Sequence, residues 1–544
     1  MRNSGMRSSL AWSLPSLVAA AAVAVPIIAI LFALTLPAGA VWQHLEETVL
    51  TNYLVNSVLL MLLTGGFALL FGVTTAWLTG ACEFKGRDTL SWLLVLPLAA
   101  PAYVVAYVYT DILEVSGPVQ SALRSWLGLT PAELSLPAVR SLPGAALLLA
   151  LVLYPYIYLL ARNSFRGRSG VQFDAARVLG HGPYQAFFRI ALPAARPAIA
   201  GGLALVLMET LADFGVVDYF SVPTLSTGIY RTWIGLGEKV AALKLAAVML
   251  MFVFALVSFE SLSRRGGIDR SDLSCATPLR LTGAKAGFAF AACFAPVLLG
   301  FIVPTGVLLS YAISDGDQLL GRSFSRYLIN SASVALTAAA LATIVALFLS
   351  YSQRLSASRI NRSLIRLSTL GYALPGILLA IAILDPLAVL DRWLVGWWPG
   401  EAAPGRLLSG SVFALVYAYL CRFLTVAFNS IDAGLSGVSP EIDAAARTLG
   451  STPAVVARRV HLPLLRPSLF TAALLVFVDV MRELPATLLL RPFNFDTLAT
   501  RVYRLASDER ISEASTAALC IVVVGVIPVL LINRIGGGRR SNRA

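Results

Sequence analysis

Apolar runs of about 20 residues, each long enough to cross a bilayer, recur from one end of the chain to the other with short polar stretches between them. The pattern predicts an all-α integral membrane protein with twelve transmembrane helices. Their approximate limits are 14–38, 52–79, 90–113, 142–162, 197–217 and 241–262, then 286–312, 327–350, 364–388, 409–430, 467–489 and 514–533. The first run follows Arg2 and Arg7 and ends in the small-residue pattern LPAGA, as a signal peptide would. It exceeds the roughly 7–15 apolar residues of a signal core, so it reads as an uncleaved first span.

Basic residues fall in alternate loops. They occur at the N-terminus, after span four (Arg166, Arg168, Arg177, Arg189, Arg196), after span six (Arg264, Arg265, Arg270, Arg280, Lys285), after span eight (Arg354, Arg359, Arg362, Arg366) and in the C-terminal tail. With twelve spans all of these lie on one side, which the positive-inside rule makes the cytoplasm, with both termini on it. The opposite loops carry Glu46, Glu47, Asp315, Asp317 and Glu401. Composition adds that 58% of the 544 residues are hydrophobic and only 13% charged, against roughly 25% charged in a soluble domain. The net charge of +13 is spread over membrane-flanking loops, so a nucleic-acid partner is not expected. The five cysteines form no CxxC pair, and His44, His181 and His461 show no ligand spacing. Neither a disulfide framework nor a His- or Cys-based metal site is expected.

The chain also repeats itself. DAARVLGHGPYQAFFRIALPAARP at 174–197 returns as AAARTLGSTPAVVARRVHLPLLRP at 444–467. A shift of 270 residues puts Arg177 on Arg447, Gly180 on Gly450, Pro183 on Pro453, Pro193 on Pro463 and Pro197 on Pro467. Upstream, NSVLLMLLTGG at Asn56 is echoed by NSASVALTAAA at Asn330, and Pro101 aligns with Pro375. The expected organisation is two parallel six-span halves, 1–262 and 286–544, joined by a basic linker at 263–285. Each repeated passage (about 166–196 and 433–466) reads as two short helices. Ser169 with Gln172, and Ser439, open the first helix of each copy, and Gly180 and Gly450 end it in a left-handed turn. Pro183 and Pro453 start the second, and Pro193 and Pro463 are expected to stop it.

Charges also lie deep within two spans: Glu209 and Asp213 in the fifth, and Asp479, Arg482 and Glu483 in the eleventh. The same shift pairs Glu209 with Asp479 and Asp213 with Glu483, and the i,i+4 spacing predicts one shared helix face for each pair. At about 1.5 Å per residue from Pro197, Glu209 stands roughly 18 Å and Asp213 roughly 24 Å into the membrane. Such carboxylates face a bundle interior or a water path. A structural network neutralised by Arg482, a gate, and a path for a hard oxygen-seeking cation are all open on these residues.

The repeated passages resemble the cytoplasmic "EAA…G…(I/L)xLP" loop of bacterial ABC-importer permeases. The resemblance implies that Asp174, Ala175, Ala176, Gly180 and Pro193 dock one ATPase subunit, and that Asp443, Ala445, Ala446, Gly450 and Pro463 dock a second. Ala444 occupies the acidic position of the second copy, with Asp443 just before it. ETLADFGVVDYFSVPTLSTGIYRTWIGL at 209–236 and RELPATLLLRPFNFDTLATRVYRLASDERISEAS at 482–515 are similar to the two halves of fused ferric-iron permeases. This implies a permease of the bacterial inner membrane, a periplasmic binding protein that delivers ferric ion, and alternating access driven by ATP. Relatives for thiamine, polyamines, phosphonates, sulfate and molybdate share the loop. The chain has no G-x-x-x-x-G-K-[ST] stretch. It is expected to bind no cofactor and to be no enzyme itself, ATP being hydrolysed by a separate chain. A secondary transporter or a non-transporting receptor are the rival classes. Neither calls for a repeated docking loop.

Overall fold

Among the described residues nine helices are long and apolar enough to cross a membrane, and three bent pairs bring the number to twelve if each pair is one span. They come from a computed structural model that describes residues 2–37, 39–130, 133, 137–166, 172, 175, 178–180, 182–264, 279–314, 322–356, 358–397 and 407–541. The straight spans are Ser13–Ala33, Leu50–Ala81, Leu142–Arg166, Phe187–Ala212, Lys239–Leu262, Ala284–Ser314, Phe324–Leu355, Val412–Ser436 and Ile511–Leu531. The chain is thus an all-α multi-pass membrane protein. Among the described residues the β structure is one parallel pairing of Cys82–Glu83 with Leu279–Arg280, reinforced by Arg280 Nε 3.3 Å from Glu83.

Spans three and nine depart from the continuous helices expected at 90–113 and 364–388. Span three is Arg87–Ala99 and Ala102–Leu127, bent by 90°; span nine is Arg359–Ala373 and Gly376–Gly396, bent by 118°. The prolines that align in the repeat cause both breaks. A residue before proline is driven out of the helical region, and Ala100 and Leu374 have ψ of 124° and 121°. Pro101 and Pro375 then open the second segment with ψ of 137° and 143°. The third bent pair, Pro453–Leu464 with Arg466–Met481, turns by 72°.

The described chain packs as two compact units, and these are not the two consecutive halves. One unit comprises 1–37, 242–247 and 321–500; the other comprises 38–241, 248–320 and 501–544. In the first, span one joins spans eight to ten: Ser16 and Ser352 share a buried hydroxyl contact at 2.9 Å, and the Tyr417 hydroxyl donates to Ala22 O at 2.6 Å. In the second, the last span packs along span seven and the break of span three. There spans four and five meet backbone to backbone, because a Cβ added to Gly202 would stand 2.6 Å from Ile157 Cα. Large apolar side chains such as Leu62, Leu70, Met251, Phe288 and Leu336 point outward, the face a bilayer would cover.

Candidate functional site

The second repeated passage is described completely. Its first helix, Pro440–Thr448, is capped by the Ser439 hydroxyl, which accepts from Glu441 N at 3.2 Å. It ends in a Schellman motif: Gly450 N donates to Arg447 O at 3.0 Å and Ser451 N to Ala446 O at 3.0 Å. Gly450 has φ +77°, and Gly180 in the first copy has φ +88°. Just before each glycine stands an exposed leucine, Leu179 at 80% and Leu449 at 85%. Ala175 and Ala445 are exposed and Ala446 is partly so. Asp174, Ala176, Ser169 and His181 lie outside the described residues.

The prolines do not stop the second helix. In the first copy Pro183–Ala186 passes through a π turn at Phe187–Ala191 straight into the span Leu192–Ala212, with Pro193 at its start. In the second, Pro453–Val456 passes through a π turn at Ala457–His461 into Leu462–Leu464, and the bend comes after Pro463, at Leu465. Each proline comes two residues after a π turn, whose looser i→i+5 pattern accommodates its missing N–H without ending the helix.

Asp443 turns inward. Arg354 Nε donates to its Oδ2 at 2.7 Å, and His461 Nε2 lies 2.7 Å from its Oδ1. Arg354 also donates to Leu435 O at 2.6 Å and Val438 O at 3.0 Å, and the Tyr351 hydroxyl meets His461 Nδ1. This cluster fastens the Pro440–Thr448 helix to the end of span eight. The repeat places Trp77 where Tyr351 stands and Ala191 where His461 stands. There Trp77 packs on Phe165 and Phe187 at 5.3 and 4.5 Å, so aromatic rings brace the π turn at Phe187–Ala191. Asp443→Asn is expected to raise amide exchange across 440–449 by about tenfold, since a locally opened segment exchanges independently of the core. Unchanged protection would show that Asp443 does not hold this helix.

The intramembrane carboxylates do not share one helix face. The fifth span ends at Ala212, leaving Asp213 extended at ψ 134°, and the eleventh ends at Met481. Beyond each end the carboxylate caps the next short helix. Asp213 accepts from Val216 N and Val217 N at 3.1 and 3.2 Å. Glu483 accepts from Ala486 N and Thr487 N at 3.1 and 3.2 Å. Both halves therefore contain a helix broken at an acid, with the acid satisfying the donors of Gly215–Tyr219 or Pro485–Leu490. Glu209 and Asp479 remain on the preceding spans, half-buried, and Arg482 pairs with Asp479.

Arg422 was not singled out from the sequence. Its guanidinium donates to Glu483 Oε1 at 3.0 Å, with side chains 12% and 3% exposed. The unit thus sets two arginines, not one, against Asp479 and Glu483. Gly376, which opens the second segment of span nine, packs against this pair, and a Cβ there would collide with both Glu483 and Arg422. The positive end of a 21-residue helix therefore also faces the Glu483 carboxylate. A lone arginine in the apolar run YLCRFL at 419–424 was the available signal.

The same joint recurs around the short helices that follow. Asn56 Nδ2 donates to Pro223 O at 3.0 Å and the Ser57 hydroxyl accepts from Leu225 N at 3.0 Å. Asn330 Nδ2 donates to Asp496 O at 3.0 Å and the Ser331 hydroxyl accepts from Leu498 N at 2.8 Å. Thr227 and Thr500 accept from Thr224 N and Thr497 N, each at 2.9 Å. These matching bonds tie the start of spans two and eight to equivalent turns.

Residues 68–265 match the family model described as "binding-protein-dependent transport system inner membrane component". The molybdenum transport system permease protein ModB of Escherichia coli is 30% identical over 205 residues, 36% of this chain and 86% of that protein. The chain belongs to this family. The Fe(3+)-transport system permease protein FbpB 2 of Haemophilus influenzae is 25% identical over 496 residues, 89% of this permease and 90% of that protein. The ferric transport system permease protein FbpB of Actinobacillus pleuropneumoniae is 23% identical over 516 residues, 90% of this permease and 72% of that protein.

Proposed function

We propose that this permease is the membrane subunit of an ATP-driven ferric-iron importer. The observation that carries the reading is coverage. Relatives named for ferric iron align over 89% and 90% of the chain, including both repeats, whereas the molybdenum relative aligns over 36%. Two ATPase subunits dock on the repeated passages, each presenting an exposed leucine ahead of a left-handed glycine. A periplasmic binding protein delivers the ion to the opposite face. Both termini and the arginine-bearing loops face the cytoplasm, in keeping with the positive-inside pattern. Asp174 contributes the acidic docking contact on the first handle. Asp443, held by Arg354 and His461, contributes by fixing the second handle's helix. Closure of the ATPases draws the handles together, and the broken helices are the elements whose packing changes as access alternates.

The test is uptake by proteoliposomes that contain the permease, its ATPase and its binding protein. Ferric uptake should require internal ATP and be unaffected by collapsing the proton gradient. Uptake that follows the proton gradient would make the chain a secondary transporter. ATP-driven uptake of molybdate in place of iron would move it to the oxyanion branch of the family.

A further inference from the structure

The second unit, 38–241 with 248–320 and 501–544, contains a group of phenolic side chains to which neither the docking handles nor the intramembrane acids assign a role. Tyr103 and Tyr107 stand one turn apart on Ala102–Leu113, the segment that begins at the Pro101 break. Asp218 and Tyr219 end the short helix Gly215–Tyr219, which Asp213 caps. Tyr503 lies on Leu498–Ser507, the second-half counterpart of the short helix after Thr224. All three elements are thus products of interrupted helices, and the interruptions bring these side chains together.

The Tyr503 hydroxyl donates to Asp218 Oδ2 at 2.6 Å. The rings of Tyr107 and Tyr219 meet edge to face at 4.4 Å, and those of Tyr103 and Tyr107 lie 5.7 Å apart. Tyr107 is within electrostatic reach of Tyr103, Tyr219, Tyr503 and Asp218 at once. It is 2% exposed, and its hydroxyl has no hydrogen-bond partner. A buried hydroxyl left unpaired is costly, so its retention inside a polar cluster points to a ligand. At the rim, Arg140 stacks over the Tyr219 ring at 4.8 Å and pairs with Glu114 at 2.8 Å. Arg231 lies 3.9 Å from Asp218 with its side chain 45% exposed.

Among the described residues no three His, Cys, Asp or Glu side chains gather into a metal cage, so the donors on offer here are phenol and carboxylate. That set suits a hard, highly charged cation. It suits an oxyanion poorly, because Asp218 would repel one from the centre of the group. We propose that Tyr107, Tyr503 and Asp218, with Tyr219 at the rim, form a transit site for the ferric ion. This rests on the ferric reading above. Binding forms an iron–oxygen bond to each phenolate as its O–H proton passes to water, and the Tyr503 proton leaves Asp218 free to coordinate. The iron keeps its charge throughout, and rebinding of those protons releases it. Because each phenol must lose a proton, the bound state is favoured only by a cation strong enough to displace it near neutral pH.

The test uses the full transporter assembly. Ferric citrate added to the wild-type complex should produce a visible phenolate-to-iron charge-transfer band. The Tyr107→Phe/Tyr503→Phe double variant, which removes only two hydroxyls, should lose the band and take up iron about 10–100-fold more slowly. Asp218→Glu, which retains a carboxylate, should keep more uptake than Asp218→Asn. Absence of the band in the wild type, or a double variant equal to wild type in band and uptake, would overturn the site. In the second case iron uptake by the wild type leaves the ferric reading standing. Wild-type transport of molybdate and not iron would remove that reading itself.

Discussion

Arg422→Ala is expected to destabilise the permease by about 3–5 kcal/mol, the cost of leaving a buried charge without its partner. Glu483 is 3% exposed on its side chain and is met by Arg422, Ala486 N, Thr487 N and the start of the Gly376 helix. Removing Arg422 leaves the backbone donors but takes away a full positive charge bonded to this carboxylate. The damage should spread, because Glu483 holds the break between Met481 and Pro485 and also packs against Gly376, just after the break of span nine. Thermal unfolding of the detergent-solubilised protein measures the loss. Replacing both members, Arg422→Met with Glu483→Gln, should recover most of it, since a neutral amide still accepts from Ala486 and Thr487. A loss below about 1 kcal/mol for Arg422→Ala would mean that the pair is solvated and behaves as a surface ion pair. Gly376→Ala should mimic the single variant without altering any charge, because its methyl would displace the same two side chains.

Much of this architecture was legible because the bilayer imposes long apolar runs and because the chain repeats. Each predicted span has its helix, and the aligned Pro101 and Pro375 do equivalent work in the two halves. What the sequence could not show was direction changes within a span. Hydropathy is indifferent to a 118° bend at Pro375, since both arms are apolar. For the same reason, i,i+4 spacing put Glu209 and Asp213 on one face, although the helix ends between them. Asp213 and Glu483 were found as charges, but their use as caps depends on donors that exist only once the helix has broken. Arg422 was hidden because its partner is 61 residues away. Asp443 was placed at a partner surface because its neighbours Arg354 and His461 are remote in sequence. The exchange of spans between the two units is likewise written in packing, not in periodicity.

Gly180→Val and Gly450→Val should leave the protein folded in the membrane while the double variant loses at least about tenfold in ATPase association and iron uptake. Both glycines sit at φ near +80°, where a β-branched residue is a genuine outlier, and the left-handed conformation costs an ordinary L-residue roughly 1–2 kcal/mol. Among the described residues no atom lies within 4 Å of a Cβ added at either position, so the described core has nothing to accommodate. The strain is therefore relieved locally, by opening the turn. That turn fixes where Leu179 and Leu449 point, and these are among the most exposed apolar side chains of the described chain. Co-purification of the ATPase reports docking, and ATP-dependent uptake reports coupling. Asparagine separates geometry from mere alteration, because it tolerates the left-handed region. Gly180→Asn/Gly450→Asn should retain most of both activities. If asparagine fails as completely as valine, the turn is not what the partner reads. The Gly450→Val single variant should be milder. The second handle is anchored by the Arg354–Asp443 pair and its π turn, so a disrupted Gly450 frees only the tip. At the first copy Trp77 packs on Phe165 and Phe187, and Ala191 stands at the His461-equivalent position. Gly450→Val alone should therefore cost less coupling than the double variant, and an equal loss would show that the Arg354–Asp443 pair does not hold the second handle.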